Sequence, residues 1–128
     1  MKFFKMWWDS QPERIKDETR RLIENGQLEF INGGWSMHDE ACPTFDDMID
    51  NMMLGHQFLL EEFGIKPRIG WSIDPFGHSN TNVRLFAEMG FDAWFIARLD
   101  YQDKKQRKQD KTMEFVWRPN AESLGTDT

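Results

Sequence analysis

One stretch of this sequence has residue types and spacing suited to covalent chemistry: Asp74-Pro75-Phe76-Gly77-His78-Ser79, directly after the apolar run Ile69-Gly70-Trp71-Ser72-Ile73. A carboxylate at the end of a buried strand is costly to desolvate, and a metal ion or a nearby cation is the usual compensation. Carboxylates so placed act as metal ligands or as nucleophiles in glycosyl transfer. The plain alternative is that Asp74 caps the turn or helix that follows. Pro75 and Gly77 impose a fixed turn that projects Phe76 and His78. His78 follows Asp74 by four residues, a spacing that lets two ligands share a metal on one helical turn. Pro75 and Gly77 oppose a regular helix there, so His78 reads as a structural residue bonding the turn.

The other candidates carry weaker signals. Arg98, at the end of Ala93-Trp94-Phe95-Ile96-Ala97, can offset a neighbouring carboxylate, hold a substrate hydroxyl, or form an ordinary ion pair. His38 and Asp39-Glu40, after Trp35, have ligand chemistry but read as a surface loop, and His56 reads as a structural mid-helix residue. Cys42 is the single cysteine, so it forms no internal disulfide and builds no cysteine-based zinc site. Gly33-Gly34 is too short for a phosphate loop, and no G-x-G-x-x-G or G-x-x-x-x-G-K pattern occurs. Ser72 and Ser79 lack a nucleophile-elbow context. The chain holds 6 Trp and 11 Phe against 1 Tyr, several of them beside Asp, His or Gly. Aromatic rings next to polar groups pack against the C–H face of a pyranose, although core packing accounts for most of them.

These residues need elements to hold them. Ser10-Gln11-Pro12-Glu13 reads as a capping box opening a helix that carries Ile15, Thr19, Leu22 and Ile23 on one face and stops at Asn25-Gly26. Leu28–Asn32 reads as a short strand closed by Gly33-Gly34. A second helix runs from near Thr44 to Gly64 with the apolar stripe Ile49, Met52, Met53, Leu59, Leu60 and Phe63. A strand at Ile69–Ile73, a helix from about Asn80 to Met89 and a strand at Ala93–Ala97 follow. Asp103–Lys111 reads as a solvated, charged loop and Met113–Arg118 as a last strand. Alternating strands and helices predict an α/β fold with a parallel sheet, whose ligands bind at the carboxyl ends of the strands. The apolar, aromatic opening and the polar tail give the impression of strands cut off, as in a slice of a larger domain.

The 128 residues carry 16 Lys and Arg against 22 Asp and Glu, a net charge of −6 that disfavours nucleic acid as a partner. With 39% hydrophobic and 30% charged residues the chain fits neither disorder nor a membrane span, and no window approaches about 18 apolar residues. The opening nine residues are too short and too charged for a signal peptide.

The string Gly70-Trp71-Ser72-Ile73-Asp74-Pro75-Phe76-Gly77-His78-Ser79 resembles the signature of glycoside hydrolase family 38, the zinc-dependent α-mannosidases. Phe4–Trp8, Gly26–Trp35 and Asp39-Glu40-Ala41 resemble the same family in the same order, and Arg98–Lys104 with Val116-Trp117-Arg118 are similar to its lysosomal, acidic branch. The resemblance implies that residues 1–128 form part of the N-terminal catalytic domain, a (β/α)7 barrel-like fold, incomplete at both ends. It implies that Asp74 both binds Zn2+ and attacks the anomeric carbon, and that Phe76 and Arg98 line the mannose pocket. The implied reaction is retaining hydrolysis of terminal non-reducing α-mannose on N-linked glycans, in the lysosome. Zinc then holds the 2- and 3-hydroxyls, and a second carboxylic acid protonates the leaving oxygen. The family's other zinc ligands, a His-x-Asp near a Trp and a further histidine, and the acid/base aspartate are expected outside this sequence. The partners implied are a mannose-containing oligosaccharide and the rest of a parent polypeptide; the chain alone is expected to be inactive. A degenerate carbohydrate-binding piece that keeps only the fold and signature is the alternative. A metal-dependent deacetylase would need a His-x-x-x-His pair, which is missing.

Overall fold

The computed structural model describes residues 1–119. Its elements are α1 (Lys2–Asp9), α2 (Glu13–Glu24), α3 (Phe45–Phe63), β1 (Ile69–Ser72), α4 (Asn80–Glu88), β2 (Ala93–Ile96) and α5 (Tyr101–Asp110). The strands pair in parallel, with Ile69 opposite Ala93 and Ser72 opposite Ile96, and α4 forms the crossover between them. An α/β unit with parallel strands is therefore present. Two strands are compatible with a piece of a larger parallel sheet and do not by themselves make a barrel.

The longest helix starts and stops by recognisable chemistry. Thr44 and Asp47 form a reciprocal capping box, and Gly64 ends α3 in the left-handed region at φ 67°. Its inward face is Met48, Met52, Gly55, Phe58 and Leu59. Ile49, Met53 and Leu60, expected in the buried stripe, face outward instead. Phe58 and Leu59 form a core with Trp8, which is 1% exposed, and Phe4, Phe30, Phe63 and Ile65 pack around it. The Trp8 indole N–H donates to Glu62 Oε2 at 3.2 Å, and the Arg20 guanidinium lies 5.0 Å from the Trp8 ring centroid. Trp8→Ala is expected to lower stability by about 3–5 kcal/mol, read as a fall in the denaturant midpoint of the protein that carries this chain.

Several local expectations are overturned. The aromatic opening is helix α1, not a cut-off strand, because Phe4 and Trp8 lie one turn apart and turn inward together. Ser10 does not cap α2. It closes α1, its hydroxyl donating to the Trp7 carbonyl at 2.7 Å, while Pro12 occupies the α2 N-cap without any side-chain bond. Leu28–Asn32 is not a strand: Asn32 and Gly33 both have positive φ, 59° and 81°, which turns the chain away from extended geometry. Asn32 nonetheless borders β1, with its N–H donating to Ile69 O and its side-chain Oδ1 accepting from Trp71 N.

Residues 103–111 are solvated as expected but not a loop. Asp100 caps α5 by accepting from the amides of Gln102 and Asp103, and pairs four apart, Asp103 with Arg107 and Gln106 with Asp110, run along it. Met113–Arg118 is irregular rather than a strand; Trp117 is held by its indole N–H, which donates to Asn80 Oδ1 at 3.0 Å. Residues beyond 119, the polar tail, lie outside the described part.

Helix α3 also pins the turn at Asn32–Ser36. His56 Nε2 lies 2.8 Å from Asn32 O, and Trp35 N donates to Asn51 O at 2.8 Å. Asn51 Oδ1 accepts from Ser36 N, and its amide donates to Ser36 O. At the crossing point there is no room for a side chain: a Cβ on Gly55 would overlap the Gly33 carbonyl oxygen and sit 2.8 Å from Gly34 C. His56 is thus structural, as read, with its partner now visible.

Candidate active site

The strand register explains the central contact of the site. Ser72 lies opposite Ile96, so the residues two positions beyond each, Asp74 and Arg98, emerge side by side at the carboxyl end of the sheet. Arg98 Nη2 donates to Asp74 Oδ1 at 2.7 Å. Of the three readings open to Arg98, the geometry displays an ion pair with a neighbouring carboxylate. The Arg98 guanidinium also lies 5.9 Å from the Phe76 ring centroid. Asp74, Phe76 and Arg98 are gathered at one place.

Beside them is an open depression of about 280 Å³ lined by Phe76, Gly77, His78, Arg98, Leu99 and Asp100. Phe76 is 78% exposed and its ring stands open beside this depression. Asp74 is not the desolvated carboxylate that its place at a strand end predicts: its side chain is 75% exposed, so burial imposes no penalty that a cation must offset. Arg98 orients the carboxylate rather than rescuing it, and an exposed pair of this kind contributes at most about 1 kcal/mol.

His78 bonds its turn as expected, but with a partner that sequence reasoning placed in a surface loop. Its Nδ1 lies 2.9 Å from Glu40 Oε2 and its Nε2 3.0 Å from the Arg98 carbonyl oxygen. The Glu40 side chain is buried, and its other oxygen accepts from Ser79 N at 2.9 Å, at the N-cap of α4. The amide that the start of α4 offers to Glu40 is 39 positions away in sequence, so no local signal marks this contact. His38 is a tie rather than a ligand, with Nε2 2.7 Å from Oδ1 of the fully buried Asn82. Asp39 stays in its own loop, accepting from Ala41 N, and its charge pushes the Cys42 thiol up; their contact and slight burial act the same way. A thiol so placed is a poor nucleophile. Ser72 is buried and accepts from the Trp94 indole at 2.9 Å, which occupies it structurally.

Among the described residues, no group of three or more His, Cys, Asp or Glu is arranged to hold a metal ion. Zinc takes three or four such ligands, and Asp74 offers one carboxylate already gripped by Arg98. The described residues therefore do not make a zinc site by themselves. Zinc titration of the isolated 128-residue chain by calorimetry is expected to show no saturable site, and an aryl α-mannoside assay no turnover. No helix among the described residues is long and apolar enough to cross a membrane.

The model of the glycosyl hydrolases family 38 N-terminal domain matches residues 1–124. The chain belongs to family 38. A lysosomal alpha-mannosidase of Dictyostelium discoideum is 57% identical over 116 residues, 91% of this chain and 12% of that protein. An alpha-mannosidase of Canavalia ensiformis is 53% identical over 119 residues, and the lysosomal alpha-mannosidase of Cavia porcellus 50% identical over 123; each pairing covers 12% of the relative. This family 38 chain thus spans about 12% of the length of the curated relatives it matches. The Asp74–Arg98 pair, Phe76 and the Glu40–His78 contact all fall within the matched residues.

Proposed function

We propose that this chain is the nucleophile-bearing part of a retaining α-mannosidase, which removes terminal non-reducing α-mannose from N-linked glycans. The observation that carries the reading is the Asp74–Arg98 pair, set beside exposed Phe76 at the carboxyl end of two parallel strands, inside a family 38 segment. Asp74 attacks the anomeric carbon as the glycosidic C–O bond breaks, and an ester between Asp74 and the sugar results. The leaving oxygen takes a proton from a carboxylic acid supplied by residues outside the described part. Water then attacks the same carbon and gives its proton to the carboxylate that the first step left behind, the ester oxygen returns to Asp74 as a carboxylate, and two inversions leave the α configuration. Arg98 grips Oδ1 and so sets the direction of the carboxylate. Phe76 offers a ring for the apolar face of the sugar.

Zn2+ is the proposed cofactor of the complete domain. Asp74 would be the one ligand contributed by the described residues, and the others are assigned outside them. A lysosomal setting is proposed on the strength of relatives that bear that name. The test is hydrolysis of an aryl α-mannoside by the full-length parent, with proton NMR of the first-formed sugar. Initial release of α-mannose supports the reading. Initial β-mannose overturns the retaining mechanism, and a folded parent without turnover overturns the activity, leaving the degenerate carbohydrate-binding alternative.

A further inference from the structure

The reaction above makes no use of His78, yet both of its ring nitrogens face acceptors. Nε2 is 3.0 Å from the Arg98 carbonyl oxygen, which has no proton to give, so Nε2 carries one. Nδ1 is 2.9 Å from Glu40 Oε2, and that contact needs a second proton on one side or the other. Glu40 Oε1 also accepts from Ser79 N at 2.9 Å, a bond that favours the charged carboxylate. A proton on Nδ1 as well as on Nε2 satisfies both contacts, with His78 as an imidazolium and Glu40 as its counter-ion. Their side chains are only 8% and 2% exposed, and a carboxylate buried that far persists only when paired.

His38 shows the contrast. Its Nε2 faces the Asn82 Oδ1 acceptor and its Nδ1 faces the Asn51 amide nitrogen at 3.4 Å, an arrangement that the neutral ring satisfies. The Trp94 ring meets His78 edge to face, with centroids 5.5 Å apart, and fixes its plane. Arg98 and Asp100 share the depression with His78, and Arg107 and Arg118 line the adjoining hollow of about 310 Å³.

We propose that His78 is a positioning residue: as an imidazolium it ties the Glu40 loop to the backbone of Arg98, and so fixes the guanidinium that grips Asp74. The link runs from Glu40 through His78 to the Arg98 carbonyl, and from the Arg98 side chain to Asp74 Oδ1 at 2.7 Å. Its effect on turnover rests on the mannosidase reading, whereas the protonation does not.

The experiment uses the full-length parent with Glu40→Gln, His78→Gln and the double variant, measuring kcat and KM on an aryl α-mannoside. Each single change is expected to lower kcat about tenfold or more with KM moved less than about threefold. The double variant should be no worse than the weaker single by more than about threefold, because both changes cut one link. Multiplying effects, or singles with wild-type kcat, overturn the proposal. An inactive wild type overturns the mannosidase reading and the positioning role with it. Neutron diffraction from deuterium-exchanged wild-type crystals at neutral pH needs no variant to fold. Deuterium on both ring nitrogens of His78 supports the imidazolium; a bare ring nitrogen, or deuterium on Glu40, overturns it.

Discussion

Asp74→Asn in the full-length parent is expected to cut turnover of an aryl α-mannoside by about 10⁴-fold or more while leaving the unfolding midpoint within about 1 kcal/mol of wild type. The two halves of that expectation have separate causes. An amide oxygen is a far weaker nucleophile than a carboxylate and forms no stable ester with the sugar, so the covalent route closes. Stability is spared because the Asp74 side chain is 75% exposed and its one ion pair, to Arg98, is open to water. Kinetics alongside denaturant titration separates these effects. Retained turnover removes Asp74 from the reaction; a large loss of stability would make it a structural residue instead.

Gly55→Ala is expected to be the most damaging single-methyl change in the described residues, lowering stability by about 3 kcal/mol or more, or abolishing soluble protein. The added Cβ would overlap the Gly33 carbonyl oxygen and stand 2.8 Å from Gly34 C, and backbone atoms do not step aside as a side-chain end does. Relief requires α3 to lift from the Asn32–Ser36 turn. That movement breaks the bonds from His56 to Asn32 O, from Trp35 N to Asn51 O and from Ser36 N to Asn51 Oδ1. The same turn braces β1 through Asn32 and Trp71, so the loss spreads to the strand that delivers Asp74. Denaturant unfolding of the variant measures it, and a shift below about 1 kcal/mol would show that the close approach is wrong.

What was legible beforehand followed local rules. Helix α3 announces its start with Thr44 and Asp47 and its end with Gly64, and the two strands stand out as short apolar runs beside Pro75 and Gly90. Helix α5 escaped because it has no apolar stripe to reveal a period: it is held by its Asp100 cap and by charged and polar pairs four apart. Helix α1 is hard to recognise in sequence because its aromatic content stands out more than the one-turn spacing of Phe4 and Trp8. Long-range pairing was out of reach. Glu40 and His78 are 38 positions apart, and nothing near either residue signals the other. Asp74 and Arg98 were each singled out by position at a strand end, but their contact followed only from knowing which residues sit opposite one another in the ladder.

That ladder makes the site all-or-nothing with respect to length changes. A single residue inserted or deleted between α4 and β2, around Gly90–Asp92, would leave two options. Either β2 slips one notch against β1, turning Arg98 toward the opposite side of the pleat, or the linker bulges and the pairing survives. Intermediate placements of the guanidinium are not available, because successive side chains on a strand alternate sides. Drift in this connector should therefore proceed by substitution, with its residue count held constant wherever the carboxylate must keep its companion.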